Sequence, residues 1–237
     1  MIFFFTISFF LNTLMVFFFH NLSSVVNLFD KPDGKRKMHK KPVAAVGGVL
    51  IFVNLTSYLI FLLLPNSFFD NEIINFEKLD FVIFYVFLSL FFLIGYLDDK
   101  FEMGPNLKLI IFSFLISLAL FFSESMSLTH LNFSFSKDAV NITAISLPFT
   151  ILCILLFINA FNMFDGINLQ SSVYSLHIFL MFIFQGVFVD ISIVMILSLV
   201  FFSYLNFKNK CFLGNNGSLL IAFIISFLFI KSQSTQH

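Results

Sequence analysis

The sequence predicts an all-α, polytopic integral membrane protein with about eight transmembrane helices and its polar motif loops on the cytoplasmic face. Three observations carry that expectation. Of the 237 residues, 59% are hydrophobic and only 11% charged, with a mean hydropathy of +1.00, well beyond an ordinary soluble domain. The apolar residues fall into stretches of membrane-crossing length. The basic residues crowd into alternate loops between them.

A helix needs about 20 residues to cross about 30 Å of hydrocarbon, and local thinning or snorkelling accommodates shorter ones. On that basis the spans run approximately over 2–20, 45–64, 80–97, 107–122, 145–161, 172–187, 189–206 and 217–230. The first has no basic segment before its apolar stretch and no A-x-A-like cleavage site, so it reads as a spanning helix and not as a removed signal peptide. The sixth and seventh are separated by Gly186 to Phe188, a tight turn. Phe, at 41 copies, suits a lipid-facing surface and carries little positional information. There is no internal repeat, and residues 1–237 read as a single transmembrane domain.

Lys and Arg resist translocation, whereas acids count for little. The loops after spans 1, 3, 5 and 7 hold Lys31, Lys35, Arg36, Lys37, Lys40, Lys41, Lys100, Lys108, Lys208 and Lys210, against Lys78, Lys137 and Lys231 on the other side. That bias places the odd-numbered loops in the cytoplasm and the N-terminus outside. The net charge of zero gives no global field for nucleic acid. Cys153 and Cys211 have no metal-like spacing and read as free thiols.

The cytoplasmic loops hold the chemistry. The second, Ile94 to Lys108 (IGYLDDKFEMGPNLK), sets Asp98 and Asp99 directly after the apolar run from Phe81 to Leu97. Acids at a helix C-terminus sit in an unfavourable potential, so a bound cation is the expected compensation; the bland alternative is a pair of solvated charges. Lys108 opens the next helix close enough to reach the same ligand. The first loop, Asn27 to Gly48, carries a basic run around His39 and then Gly47 and Gly48. It reads either as a topology-setting segment at anionic lipid or as a phosphate site.

The third loop, Ile158 to Gln170 (INAFNMFDGINLQ), has one charge, Asp165, among Asn159, Asn162 and Asn168. Asn162 and Asp165 share a face on a helical turn, and oxygen donors there suit a hard divalent cation. Its alternative is a polar helix end with Gly166 as a left-handed cap. In the fourth loop, Asn206 to Ser218 (NFKNKCFLGNNGS), two glycines flank Asn215 and Asn216, and Ser218 caps a helix whose N-terminus favours anions, unless the segment is a simple turn.

In order along the chain, DKPDGKRKMHKKPVAAVGG, GYLDDKFEMGPNLKL, NAFNMFDGIN and FLGNNGS resemble the cytoplasmic motif loops of the polyprenyl-phosphate N-acetylhexosamine-1-phosphate transferases. That family includes the UDP-GlcNAc:undecaprenyl-phosphate GlcNAc-1-phosphate transferases and the phospho-MurNAc-pentapeptide translocases. The resemblance implies Mg²⁺-dependent transfer, with Mn²⁺ as a substitute, of a HexNAc-1-phosphate from a UDP-sugar to undecaprenyl phosphate. UMP is released, and a cell-envelope glycan is started at the bacterial plasma (inner) membrane. HKKPVAAVGG and NMFDG lie closer to the GlcNAc group.

Carried over residue by residue, the resemblance implies Asp98 and Asp99 as the paired catalytic acids, with Asp165 and Asn162 as metal ligands. His39, Lys41, Lys100 and Lys108, with Asn168 and Asn215, become substrate or phosphate contacts. Asn168 and Leu169 stand where the third motif has Asp and Gly, and Asn215 where the fourth has Asp. The chain also stops before the family's later spans and His-containing cytoplasmic loop, which makes an inactive short member one alternative. A transporter is the alternative from another class; it would line a route across the bilayer with ionisable groups near its midplane, of which these spans hold almost none.

Overall fold

The computed structural model describes residues 2–32, 41–63, 78–123, 126–131 and 139–234. Its helices are α1 Ile2–Phe17, α2 Phe19–Val26, α3 Gly47–Leu63, α4 Lys78–Phe101, α5 Pro105–Phe122, α6 Ser146–Phe164, α7 Gln170–Phe184, α8 Val189–Phe207 and α9 Gly214–Ser234. Two short hairpins lie at loop positions, β1 Phe29–Asp30 with β2 Val43–Ala44 and β3 His130–Leu131 with β4 Val140–Asn141. All eight expected apolar stretches fall on helices. Five of these are long and apolar enough to cross a membrane, or six if α1 and α2 form one broken span, while α3 and α7 are shorter apolar helices.

The first expected span, 2–20, departs from the structure. The chain turns by 76° between Phe17 and Phe19, with no Pro or Gly at the break. α2 is amphipathic: Phe19, Leu22 and Val26 pack on the core while His20, Asn21 and Ser24 are exposed, so one face is satisfied only after the bend. The turn expected at Gly186 to Phe188 is present, with Gly186 at φ 70° and Phe188 at φ 49°.

α9 is the axis of the bundle. Of its membrane-length window 83% is buried, against 28% to 50% in the other four long helices, and it packs on α3, α4, α6 and α7. A helix apolar on every side can be enclosed completely, and Leu219 to Ile225 are all buried. Lipid tails are as apolar as Leu, so close packing and interhelical hydrogen bonds hold such a bundle together. Asn12 and Asn54 exchange amide hydrogen bonds between α1 and α3 at 2.8 and 3.0 Å, and Ser8 donates to Asn54 Oδ1 at 3.0 Å. At the other end of α9, Lys231 is ion-paired with Asp80 of α4, which also accepts from Ser123 at 2.6 Å. The α9 N-terminus is pinned at the opposite end by the motif loops.

Candidate active site

α4 does not stop at Leu97. It continues to Phe101, which places Asp98 and Asp99 in its last turn. Gly95, one turn earlier, lets α4 approach the start of α9 so closely that a Cβ there would lie 2.5 Å from the Asn215 carbonyl oxygen and the Asn216 Cα. Asp99 thereby reaches the free N–H groups of the first α9 turn. Its Oδ1 accepts from Asn215 N at 2.9 Å, and its Oδ2 from Asn216 N at 2.9 Å and Asn216 Nδ2 at 2.5 Å. A carboxylate contributed by α4 caps the positive end of α9.

Asp98 points the other way. Its Oδ1 accepts from Met103 N at 2.9 Å, closing the loop after α4, and Lys108 Nζ of α5 lies 2.5 Å from its Oδ2. Both acids have protein counter-groups: a lysine for Asp98 and a helix N-terminus for Asp99. The anion-favouring start of α9 is likewise occupied by Asp99. Pro105 at the first turn of α5 fixes the tight connection that brings Lys108 back to α4.

Asp165 lies just past the end of α6, and its Oδ1 accepts from the Ser171 hydroxyl at 2.6 Å. Burial pushes the Asp165 carboxyl up to about 6; the Ser171 hydrogen bond opposes that rise and the nearby charge of Asp99 adds to it. Asn162 Oδ1 accepts from Ser218 Oγ at 2.6 Å, which ties α6 to the second turn of α9. Gly166 is not a left-handed cap; the positive φ in this loop belongs to Leu169, at 68°.

The remaining expected contacts divide. The amide of Asn168 donates to Asn206 O at 3.1 Å and Asn209 Oδ1 at 2.6 Å, so it staples the third loop to the end of α8. Asn215 meets Asp99 through its backbone. Lys41 and Lys100 are exposed at the rim, Lys100 with its ammonium 5.5 Å from the Phe101 ring centre. His39 lies outside the described residues. The first loop is held against the fourth, with Gly47 N and Gly48 N donating to Phe212 O and Leu213 O at 3.0 and 3.1 Å.

The model of Glycosyl transferase family 4 matches residues 81–233, taking in the second, third and fourth of these loops. This chain belongs to that family. Curated relatives include a probable undecaprenyl-phosphate N-acetylglucosaminyl 1-phosphate transferase of Bacillus subtilis, 25% identical over 86% of this chain and 55% of the relative. An undecaprenyl-phosphate alpha-N-acetylglucosaminyl 1-phosphate transferase of Thermotoga maritima is 29% identical over 93% of this chain and 61% of the relative. The enzyme of that same name in Escherichia coli K12 is 24% identical over 94% and 60%. The chain thus spans 55% to 61% of the length of these relatives.

The motif resemblance implies a divalent metal, and oxygen donors of the third loop are the groups to weigh for it. Among the described residues no group of three His, Cys, Asp or Glu converges, so there is no all-protein cage. Mg²⁺ does not require one, since it keeps waters and binds through one or two carboxylates plus substrate phosphates. Asp165 Oδ2 accepts no hydrogen bond among the described residues, and Asn162 Oδ1, one helical turn earlier, accepts from Ser218 alone. Gly95 and Ser171 are site residues that the sequence alone did not single out, and Asn216 stood there only as part of a glycine-flanked turn. Gly95 has a sequence signal, a residue without a side chain one helical turn before an acid; the other two are visible only through their partners.

Proposed function

We propose that this chain transfers a HexNAc-1-phosphate, GlcNAc-1-phosphate in the favoured case, from a UDP-sugar to undecaprenyl phosphate. A lipid phosphate oxygen forms a bond to the sugar-bearing phosphorus, the diphosphate P–O bond breaks, and its electron pair leaves with UMP. The observation that carries this reading is the docking of Asp99 on the N-terminus of α9, with Asp98 of the same turn paired to Lys108 and Asn162 of the third loop tied to Ser218 of α9. The names of the relatives support the acceptor and the transferred group. The basic loops argue for the cytoplasmic face of a bacterial inner membrane, with the N-terminus outside.

A bound Mg²⁺ would neutralise diphosphate charge and favour departure of UMP. Asp165, with Asn162 beside it, is the residue that would hold the ion. Asp98 and Asp99 shape the transfer site. Each has both oxygens engaged, by Lys108 and a backbone N–H in one case and by the α9 N-terminus in the other, which favours direct attack by the lipid phosphate over a carboxylate nucleophile. The lipid phosphate needs little help from a base, because its second pKa near 6 leaves it largely dianionic at neutral pH. Lys100 and Lys41, exposed at the rim, are placed to attract anionic substrates.

The test is turnover. Membranes containing the chain, given Mg²⁺, undecaprenyl phosphate and labelled UDP-GlcNAc, release UMP and form a labelled lipid, and Asp165→Asn abolishes both. Absence of turnover with every UDP-HexNAc tried would overturn the activity for this chain and leave its family membership intact.

A further inference from the structure

The transfer site has a buried side chain behind it that no motif role accounts for. Asn216 is fully buried, and its Nδ2 donates at once to Asp99 Oδ2 at 2.5 Å and to Ala45 O at 2.9 Å. Ala45 belongs to the first loop and Asp99 to the end of α4, so this one amide connects the first, second and fourth loops. Both neighbours are acceptors, which fixes the amide's orientation: a flipped Asn216 would set an oxygen against a carboxylate and a carbonyl. The opposite atom, Oδ1, has no hydrogen-bond partner among the described residues and faces Gly48, where any Cβ would collide with it. The chain leaves a buried acceptor unsatisfied and keeps a glycine beside it, and what it obtains is a donor held on Asp99.

We propose that Asn216 is a positioning residue that acts through Asp99, fixing that carboxylate on the first turn of α9 and so setting the distance between the Asp98–Asp99 turn and Asp165. This rests on the transferase reading for its catalytic consequence and on the hydrogen bonds alone for its structural one. Asn216 is inaccessible, so it contacts neither substrate; its loss acts on turnover and not on substrate capture. Asp is the informative replacement. It matches Asn in volume but cannot donate in its charged form and sets a second carboxylate against Asp99.

The experiment uses the full chain purified in detergent, comparing wild type, Asn216→Asp, Asp99→Asn and the double variant. Asn216→Asp is expected to lower Tm clearly, and the double variant to recover part of that loss, because an amide at 99 removes the repulsion between two carboxylates, although the carboxylate at 216 still faces Ala45 O and the amide at 99 no longer accepts from every α9 donor. Turnover is expected to fall at least tenfold in Asn216→Asp, with KM for UDP-GlcNAc within twofold of wild type, and to stay low in the double variant, whose charge sits on the wrong residue. Additive Tm losses, or a wild-type kcat in folded Asn216→Asp, overturn the proposal. If wild type itself shows no turnover, the transferase reading fails, and the thermal cycle alone decides the positioning role: coupling supports it and additivity overturns it.

Discussion

Lys108 Nζ of α5 lies 2.5 Å from Asp98 Oδ2 of α4, with the Asp98 side chain 1% exposed and that of Lys108 22%. The lysine is the counter-charge of a buried acid as much as a rim cation. Removing one member of such a pair strands the other. Lys108→Met keeps the apolar stem and deletes the charge. It is expected to destabilise the chain by about 3 kcal/mol, the low end of the range for a broken buried pair because Lys108 stays partly solvated. Denaturant unfolding in detergent measures the loss, and adding Asp98→Asn is expected to restore most of it.

Asp165 gives a pH dependence whose sign follows from its environment. An acid raised from 3.8 to about 6 in the folded chain holds its proton better folded than unfolded, so its contribution to stability falls as pH rises between those values. Metal-free protein is therefore expected to melt higher at pH 5 than at pH 7 through this group, and Asp165→Asn to shrink the difference. Metal requires the ionised form. Mg²⁺ should raise Tm more at pH 7 than at pH 5, by differential scanning fluorimetry, and the effect should vanish in Asp165→Asn.

Gly95→Ala and Gly104→Ala make a contrasting pair. A Cβ at Gly95 would lie 2.5 Å from α9 backbone atoms, so α4 and α9 must part and Asp99 must leave its N–H donors. About 1 to 3 kcal/mol of stability should be lost, as for an overpacked core, together with turnover. Gly104, at φ −64° with no atom within 4 Å of its added Cβ, should accept alanine with no loss in either assay.

What the sequence made legible follows the same division. Apolar run length located the helices and so the four loops that meet around α9, because it is a local and additive signal. The docking of Asp99 on α9 depends on a partner 116 residues away and on Gly95 and Gly48 allowing backbones to touch, and no periodicity encodes that. The central place of α9 was hidden for a related reason: in a membrane protein a Leu-rich face reads alike against lipid and against another helix. The 76° break after Phe17 has no Pro or Gly to announce it and follows from the amphipathic face of α2.

Cys211 reports on the fourth loop. It is fully buried and bridged to Ala44 of the first loop, with its thiol on the Phe212 carbonyl at 3.4 Å, and burial pushes that thiol up to about 12 from 9.0. At neutral pH it therefore holds about a thousandfold less thiolate than an ordinary cysteine. N-ethylmaleimide, followed by intact mass, should leave Cys211 unmodified in the folded chain and modify it on unfolding. Gly48→Ala, which forces the Asn216 turn away from the first loop, should expose it to the reagent.

Asn168 is where this chain departs from the acid of its family's third motif, and the structure gives the residue a different job. Its amide donates to two acceptors, Asn206 O at 3.1 Å and Asn209 Oδ1 at 2.6 Å, while Asn206 in turn accepts from Leu169 N at 2.7 Å and donates to Cys211 O at 2.8 Å. The loop bearing Asp165 is thus stapled to the loop leading into α9 by asparagines, which can donate and accept. Asn168→Asp, which restores the family's acid, would aim a carboxylate at a backbone carbonyl that no rotation can turn into a donor. It is expected to cost about 1 to 3 kcal/mol, the penalty of an unsatisfied polar group, and to lower turnover instead of improving it. A rise in activity with unchanged Tm would mean that the position serves the substrate directly and that the staple is incidental.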